Sequence, residues 1–437
     1  MTDMKLPDTF CPQAWHMVNI TPEGRIKMCC KASGCITQNG KPMSVYEHTY
    51  QEIWNSDYMQ RIRKSMLEGQ PIPECSYCYN YEAKISSSRR LDEIKWGKLN
   101  NPYLDESIQD PVLFKQRYGL IAPLPTHLQL DMGNVCNLKC RMCAAHRSTS
   151  IEADPVQSLW RPKLPNSQSD LSPTRFPDHR SWISQKDFIR EEILADPAQI
   201  RLIHISGGEI FLIPEVETII RFLVDGGYSK QIIFHLTTNA TMISDKILND
   251  LSSFKILRIG ISVEGIGPIN DYIRYPSNWR IIENNIIKLS SLPNTRLYLA
   301  STIQIYNVYN FIEVCRYCDQ NNLKLYAEIL KYPSFFRIGV LPKPVREKCM
   351  ENYQAYMKTC SNPQRIKMVE YLYKSLAETD ISDREELWRR FNLYTNDLDQ
   401  SRGQSFQHDL HDLYQAILDS GEEWTDEIRY AQSKAQP

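Results

Sequence analysis

The stretch Thr126-His127-Leu128-Gln129-Leu130-Asp131-Met132-Gly133-Asn134-Val135-Cys136-Asn137-Leu138-Lys139-Cys140-Arg141-Met142-Cys143 decides the fold. Its first half alternates apolar and polar residues and breaks at Gly133, the pattern of a strand. Its second half spaces three thiols as C-x3-C-x2-C, so the strand delivers a loop of thiolates to its own C-terminal end. Three thiolates on a four-iron cube leave one iron without a protein ligand, whereas a structural zinc or a closed cluster takes four. An open iron can bind and reduce a small molecule. Zinc, or thiols with no shared role, is the other reading of the spacing.

Downstream, apolar strand-like runs at 201–205, 231–236, 256–263, 296–302 and 323–328 alternate with helical stretches at Glu215–Leu223, Ser244–Leu251, Ile281–Leu289 and Asn310–Asp319. With the first strand at 127–132 this makes six β-α units. Such units form a parallel sheet with helices outside and gather reactive groups at the strands' C-terminal ends. The fold class expected is α/β: a partial, open (β/α)6 barrel of TIM type, with a small N-terminal cysteine-rich domain and a helical C-terminal region. The divisions expected are 1–95, a linker over 96–125, a core over 126–335 and a helical region over 336–437. Five prolines make 145–185 a long irregular loop, read as a lid or partner-binding loop carrying His146 and Arg147.

Composition narrows the function classes. A chain of 437 residues with a net charge of -1 has no global pull toward nucleic acid or membrane. No apolar run reaches the roughly 18 residues of a membrane span, and the first residues lack a secretory pattern, so a cytoplasmic setting is expected. Of thirteen cysteines, nine fall in two regions, six of them between Cys11 and Cys78. In a reducing compartment such clustering points to metal or redox chemistry. Cys315 and Cys318 read as small buried hydrophobes on a helix.

The N-terminal unit reads as two short strands joined by a Pro22-Glu23-Gly24 turn, then a helix from Ser44 to Leu67 capped by Ser44 with Glu47. Cys75 and Cys78 form a C-x2-C pair. Together with Cys11 and Cys29 they supply four thiols, enough to close a cluster or a zinc site. Cys30 and Cys35 are possible substitutes.

With Asn137 before Leu138-Lys139-Cys140, the thiol loop resembles that of radical S-adenosylmethionine (SAM) enzymes. The cysteine-rich unit resembles their auxiliary-cluster twitch or SPASM module, which normally follows the core and here precedes it. The resemblance implies a [4Fe-4S] cluster on Cys136, Cys140 and Cys143 with SAM on the open iron, and an auxiliary cluster on Cys11, Cys29, Cys75 and Cys78. Ser206-Gly207-Gly208-Glu209 is similar to the family's motif for the SAM amine, and Thr237-Thr238-Asn239 to a cofactor- or substrate-facing pair. Ser262-Val263-Glu264-Gly265 stands where the family more often has Ser-x-Asp-Gly, with Ser262 for the ribose or carboxylate. Asn270 to Arg274 resembles a segment whose Arg274 would hold the SAM carboxylate by a two-pronged pair. Thr302 and Gln304 would face the active centre.

The activity implied is reductive cleavage of SAM to a 5'-deoxyadenosyl radical that abstracts hydrogen from a peptide or protein substrate. The electron would come from a reductant protein such as flavodoxin or ferredoxin. A small metabolite or nucleotide substrate, or a non-catalytic zinc-stapled binding protein, are the alternatives.

Overall fold

The computed structural model describes residues 6–85, 88–100, 119–160, 182–184, 188–378 and 381–429. Ten strands are present among them: β1 (Met17–Ile20), β2 (Ile26–Lys27), β3 (Thr37–Gln38), β4 (Lys41–Pro42), β5 (His127–Asp131), β6 (Leu202–Ser206), β7 (Ile233–Thr238), β8 (Ile256–Ser262), β9 (Thr295–Ile303) and β10 (Lys324–Ile329). Eight form one sheet in the order β10-β9-β8-β7-β6-β5-β1-β2, parallel throughout except for β2. The six strands expected from the β-α alternation are all there, each within a residue or two of its expected limits. Helices Pro214–Asp225, Asp245–Leu251, Trp279–Ser290 and Phe311–Gln320 connect them.

One boundary differs from expectation. The hairpin β1–β2 belongs to the core sheet, with Met17 to Ile20 pairing His127 to Leu130. The cysteine-rich unit is therefore continuous with the core. The sheet is also curled. Eight flat strands about 4.8 Å apart would separate the outer two by roughly 34 Å. Yet Lys31, four residues past β2, forms an ion pair at 3.2 Å with Glu328 on β10, the opposite edge. Four residues of chain span at most about 14 Å, so the N-terminal unit bridges the open side of the barrel.

Other expectations need correction. The single helix from Ser44 is two, Tyr50–Trp54 and Asp57–Leu67. The cap is Thr49, whose hydroxyl accepts from Glu52 N while the Glu52 carboxylate accepts from Thr49 N. Ser44 lies one turn too early to serve. Residues 145–160, read as loop, contain short helices at Thr149–Glu152 and Pro155–Trp160, begun by Ser148 and by Pro155 at a first-turn position. The rest of 145–185, apart from Trp182–Ser184, lies outside the described residues, as does most of the 96–125 stretch. The region after 336 is helical, as expected, with its longest helix at Arg384–Arg402.

Candidate functional site

The thiol loop leaves β5 and is held from three sides by backbone. From one side, Gly208 N donates to Gly133 O at 2.8 Å and Glu209 N to Val135 O at 2.7 Å. From another, Lys139 N reaches Tyr275 O at 2.6 Å and Arg141 N reaches Ile273 O at 2.9 Å. Thr149 N closes the third on Asn134 O at 2.8 Å. The close approach explains the glycines. A Cβ on Gly208 would fall into the Val135 carbonyl, with Asn134 C at 2.7 Å. The glycines let backbone approach the thiol loop closely.

Cys140 is buried and Cys136 and Cys143 are half-buried. Burial pushes the Cys140 thiol up to about 12 and Cys143 to about 11, and also raises Cys136; the guanidinium of Arg274 pulls all three back. Arg274 therefore lies within electrostatic reach of all three thiols. It is itself buried, its Nη1 is bonded to Glu264 Oε1 at 3.0 Å, and its Nε has no partner.

Glu264, the position where an Asp is more usual, ties several elements together. Its Oε2 accepts from Thr302 N at 2.8 Å and from Asn307 Nδ2 at 3.5 Å, while Asn270 Oδ1 accepts from Glu264 N at 3.0 Å. The longer side chain reaches Arg274 and the end of β9 together. Burial raises its carboxyl to about 7 against the pull of Arg274.

Glu209 does not face open space. Its buried carboxylate accepts from Thr238 Oγ1 at 2.7 Å and Asn239 N at 2.6 Å, which fastens the end of β6 to the end of β7. The carboxylate also accepts from Phe211 N at 3.3 Å, so it fastens these strand ends as well as being a candidate for the SAM amine. Asn239 then points its amide at Asn137 Oδ1, 3.0 Å away, and at Cys136 Sγ, 4.0 Å away. Ala240 follows with φ 57°, a left-handed turn that a residue with a Cβ adopts only when its surroundings hold it there. Ser262 ends β8 half-buried and paired in register with Ala300; Thr302, also half-buried, gives its backbone to Glu264. Both atoms of the Gln304 side-chain amide are buried without a partner.

In the N-terminal unit, Cys11, Cys29, Cys75 and Cys78 are buried, and burial together with each other's proximity raises the first three. Cys30 stands next to Cys29 in this group. Cys35 does not join it; its charged neighbours are Lys27, Arg25 and Glu23. Among the described residues no three His, Cys, Asp or Glu side chains converge on a point as a single metal ion requires. Cys315 and Cys318 are buried in a helix beside Arg365 and join neither set. His146 and Arg147 begin a turn past Cys143, with Arg147 paired to Asp131.

Sequence reasoning passed over two features. His204 and His235, register partners on β6 and β7, stack at 3.9 Å, and His235 bonds the Tyr298 hydroxyl at 2.8 Å. Two-residue alternation around each could have flagged them as lying on one face. Arg141, inside the thiol loop, is fully buried and paired with Asp399. No local pattern connects residues so far apart in the chain.

Two protein-family models match parts of the chain. Residues 130–310 match the radical SAM superfamily, and residues 11–79 match SPASM, an iron-sulfur cluster-binding domain. No curated protein matches the chain. Among solved structures, Streptococcus suis SuiB bound to precursor peptide SuiA is 16% identical over 88% of this chain and 80% of that one, with a TM-score of 0.37. Native anSMEcpe with bound AdoMet is 16% identical over 54% and 61%, with a TM-score of 0.36. Native anSMEcpe with AdoMet and Cp18Cys peptide is 16% identical over 53% and 60%, with a TM-score of 0.34. The chain thus spans about three fifths of the length of anSMEcpe. The two family matches fall on the two sets of thiols, so the chain carries a radical SAM domain with a SPASM-type iron-sulfur domain placed ahead of it.

Proposed function

We propose that the chain is a radical SAM enzyme in which Cys136, Cys140 and Cys143 hold a four-iron cluster and SAM takes its open iron. The observation that carries this reading is a buried Arg274, its Nε without a partner, within electrostatic reach of three thiols on one loop. The residues fit the group: three sulfur donors suit iron, the free Nε suits a carboxylate, and the unpartnered Gln304 amide leaves both donor and acceptor capacity nearby. When bound, the cluster and SAM supply a 5'-deoxyadenosyl radical that abstracts hydrogen from substrate.

The chain's own residues do the rest. Glu264 holds Arg274 so that the guanidinium keeps its direction toward the thiols. Asn239 offers an N–H to Cys136 Sγ, and such bonds to ligand sulfur tune cluster potential. Ser262 and Thr302, at neighbouring strand ends, are hydroxyls for the remainder of SAM, and the carbonyls of Gly207 and Gly208 are acceptors for its amine. Cys11, Cys29, Cys75 and Cys78 would hold an auxiliary cluster that exchanges electrons with substrate. The substrate class we favour is a peptide or protein, from the resemblance of the N-terminal unit to modules of peptide-modifying enzymes. The electron donor would be a flavodoxin- or ferredoxin-like protein in the cytoplasm. No helix among the described residues is long and apolar enough to cross a membrane.

Anaerobically purified protein should be brown and, with dithionite, release 5'-deoxyadenosine from SAM. Colourless protein holding only zinc would overturn the proposal. Cys140→Ala should abolish the release while retaining the iron of the N-terminal set.

A further inference from the structure

The thiol loop is gripped by the far end of the chain. Arg141, between Cys140 and Cys143, has no exposed surface, and its guanidinium lies 3.6 Å from the centre of the Tyr272 ring and 5.4 Å from that of Tyr306. Its Nε donates to Tyr272 O at 3.0 Å. Its Nη2 donates to the Asp399 carboxylate and to Gln404 Oε1, the latter at 2.9 Å.

Asp399 spends both oxygens: Oδ1 also accepts from the Tyr272 hydroxyl at 3.0 Å, and Oδ2 from Phe406 N at 2.6 Å. Gln404 donates in turn to Tyr272 O at 3.3 Å. Gly403, at φ 64°, ends the helix Arg384–Arg402 in the left-handed turn that carries the chain back over its last residues to Gln404. Nearby, Arg402 and Lys139 both face Asp154, each at 3.6 Å.

We propose that Asp399 and Gln404 are positioning residues for the open-iron cluster, acting through Arg141 as a latch that fixes the thiol loop. Three observations carry it. A buried guanidinium cannot be left unpaired cheaply, so the latch strongly favours one loop position. It is directional, because a planar fork between two acceptors and a ring specifies angle as well as distance. It also acts at the residue between two of the three ligands, where a small rotation moves both sulfurs. The proposal rests on the reading of Cys136, Cys140 and Cys143 as cluster ligands.

The test compares wild type with Asp399→Asn and Arg141→Lys, each also in a background lacking the triad (Cys136→Ala, Cys140→Ala, Cys143→Ala). Iron per chain, the reduced-cluster EPR spectrum with and without SAM, and hydrogen exchange at residues 136–143 are measured. Asp399→Asn should lose half or more of the triad's iron or broaden its EPR signal and abolish the SAM-induced change, with exchange at 136–143 rising at least tenfold. In the triad-less background the same substitution should leave iron per chain unchanged. Equal iron loss in both backgrounds would reduce the latch to general stability and overturn the proposal. So would an unchanged EPR response with unchanged exchange. Wild type without triad iron would instead refute the proposed function itself.

Discussion

At the scale of single residues, the site depends on close packing and on buried charge. Gly208 touches the backbone of Asn134 and Val135, so Gly208→Ala should cost about 1–3 kcal/mol of stability. It should also lower iron retention at the triad, checked by thermal melts and iron analysis. Glu264→Gln keeps an acceptor for the buried guanidinium but removes the charge, and should cost about 1.5–3 kcal/mol, read from urea midpoints. Arg274 was singled out in the sequence because its neighbours form a recognisable segment, and the structure buries it against Glu264. Its partner Glu264 was not assigned, since the pair forms only when β8 and the following helix are in place. The Arg141–Asp399 pair spans 258 positions, and nothing in either neighbourhood names the other as its partner.

At the scale of elements, β5 to β10 were legible almost to the residue: β6, β7, β9 and β10 alternate in burial, the doubly buried β5 alternates apolar and polar residues, and β8 stands out as a largely apolar run. The short strands of the N-terminal hairpin were legible too, but their partner was not: β1 is only four residues long, and nothing in four residues specifies which edge they join. The helix start at Thr49 was missed for a local reason, since both Ser44-x-x-Glu47 and Thr49-x-x-Glu52 satisfy the capping pattern.

The buried histidines also carry a pH dependence. Burial lowers His16, His127 and His204 to about 3, and His235 well below its ordinary value. With the folded pKa depressed below about 6.5, the unfolded chain binds more protons between the two values. The stability these groups contribute is full above about pH 6.5 and is lost as pH falls toward 3. Each should cost about 2 kcal/mol at pH 5 relative to pH 7. Melting temperatures should therefore fall between those pH values, and less steeply in His204→Gln/His235→Gln. An equal slope in that variant would refute the assignment.

At the scale of the whole molecule, the cysteine-rich unit and the core share one sheet, joined by β1 on β5 and closed by Lys31 on Glu328. The exposed ion pair alone contributes little; the strand pairing is the joint. Asn19→Pro would remove a ladder hydrogen bond in β1 and cost about 3 kcal/mol or more. Iron should then fall at both sets of thiols together, measured in wild-type and triad-less backgrounds, whereas independently folding units would lose it at the first set alone. The same joint has a consequence for synthesis. Asn19 meets Gln129 across 110 positions. At roughly 5–20 residues per second, the ribosome delivers β5 about 5–20 s after β1. Through that interval β1 has no sheet to join, so the cysteines translated before residue 127 stay exposed to oxidants and to cluster-delivery machinery before the core exists.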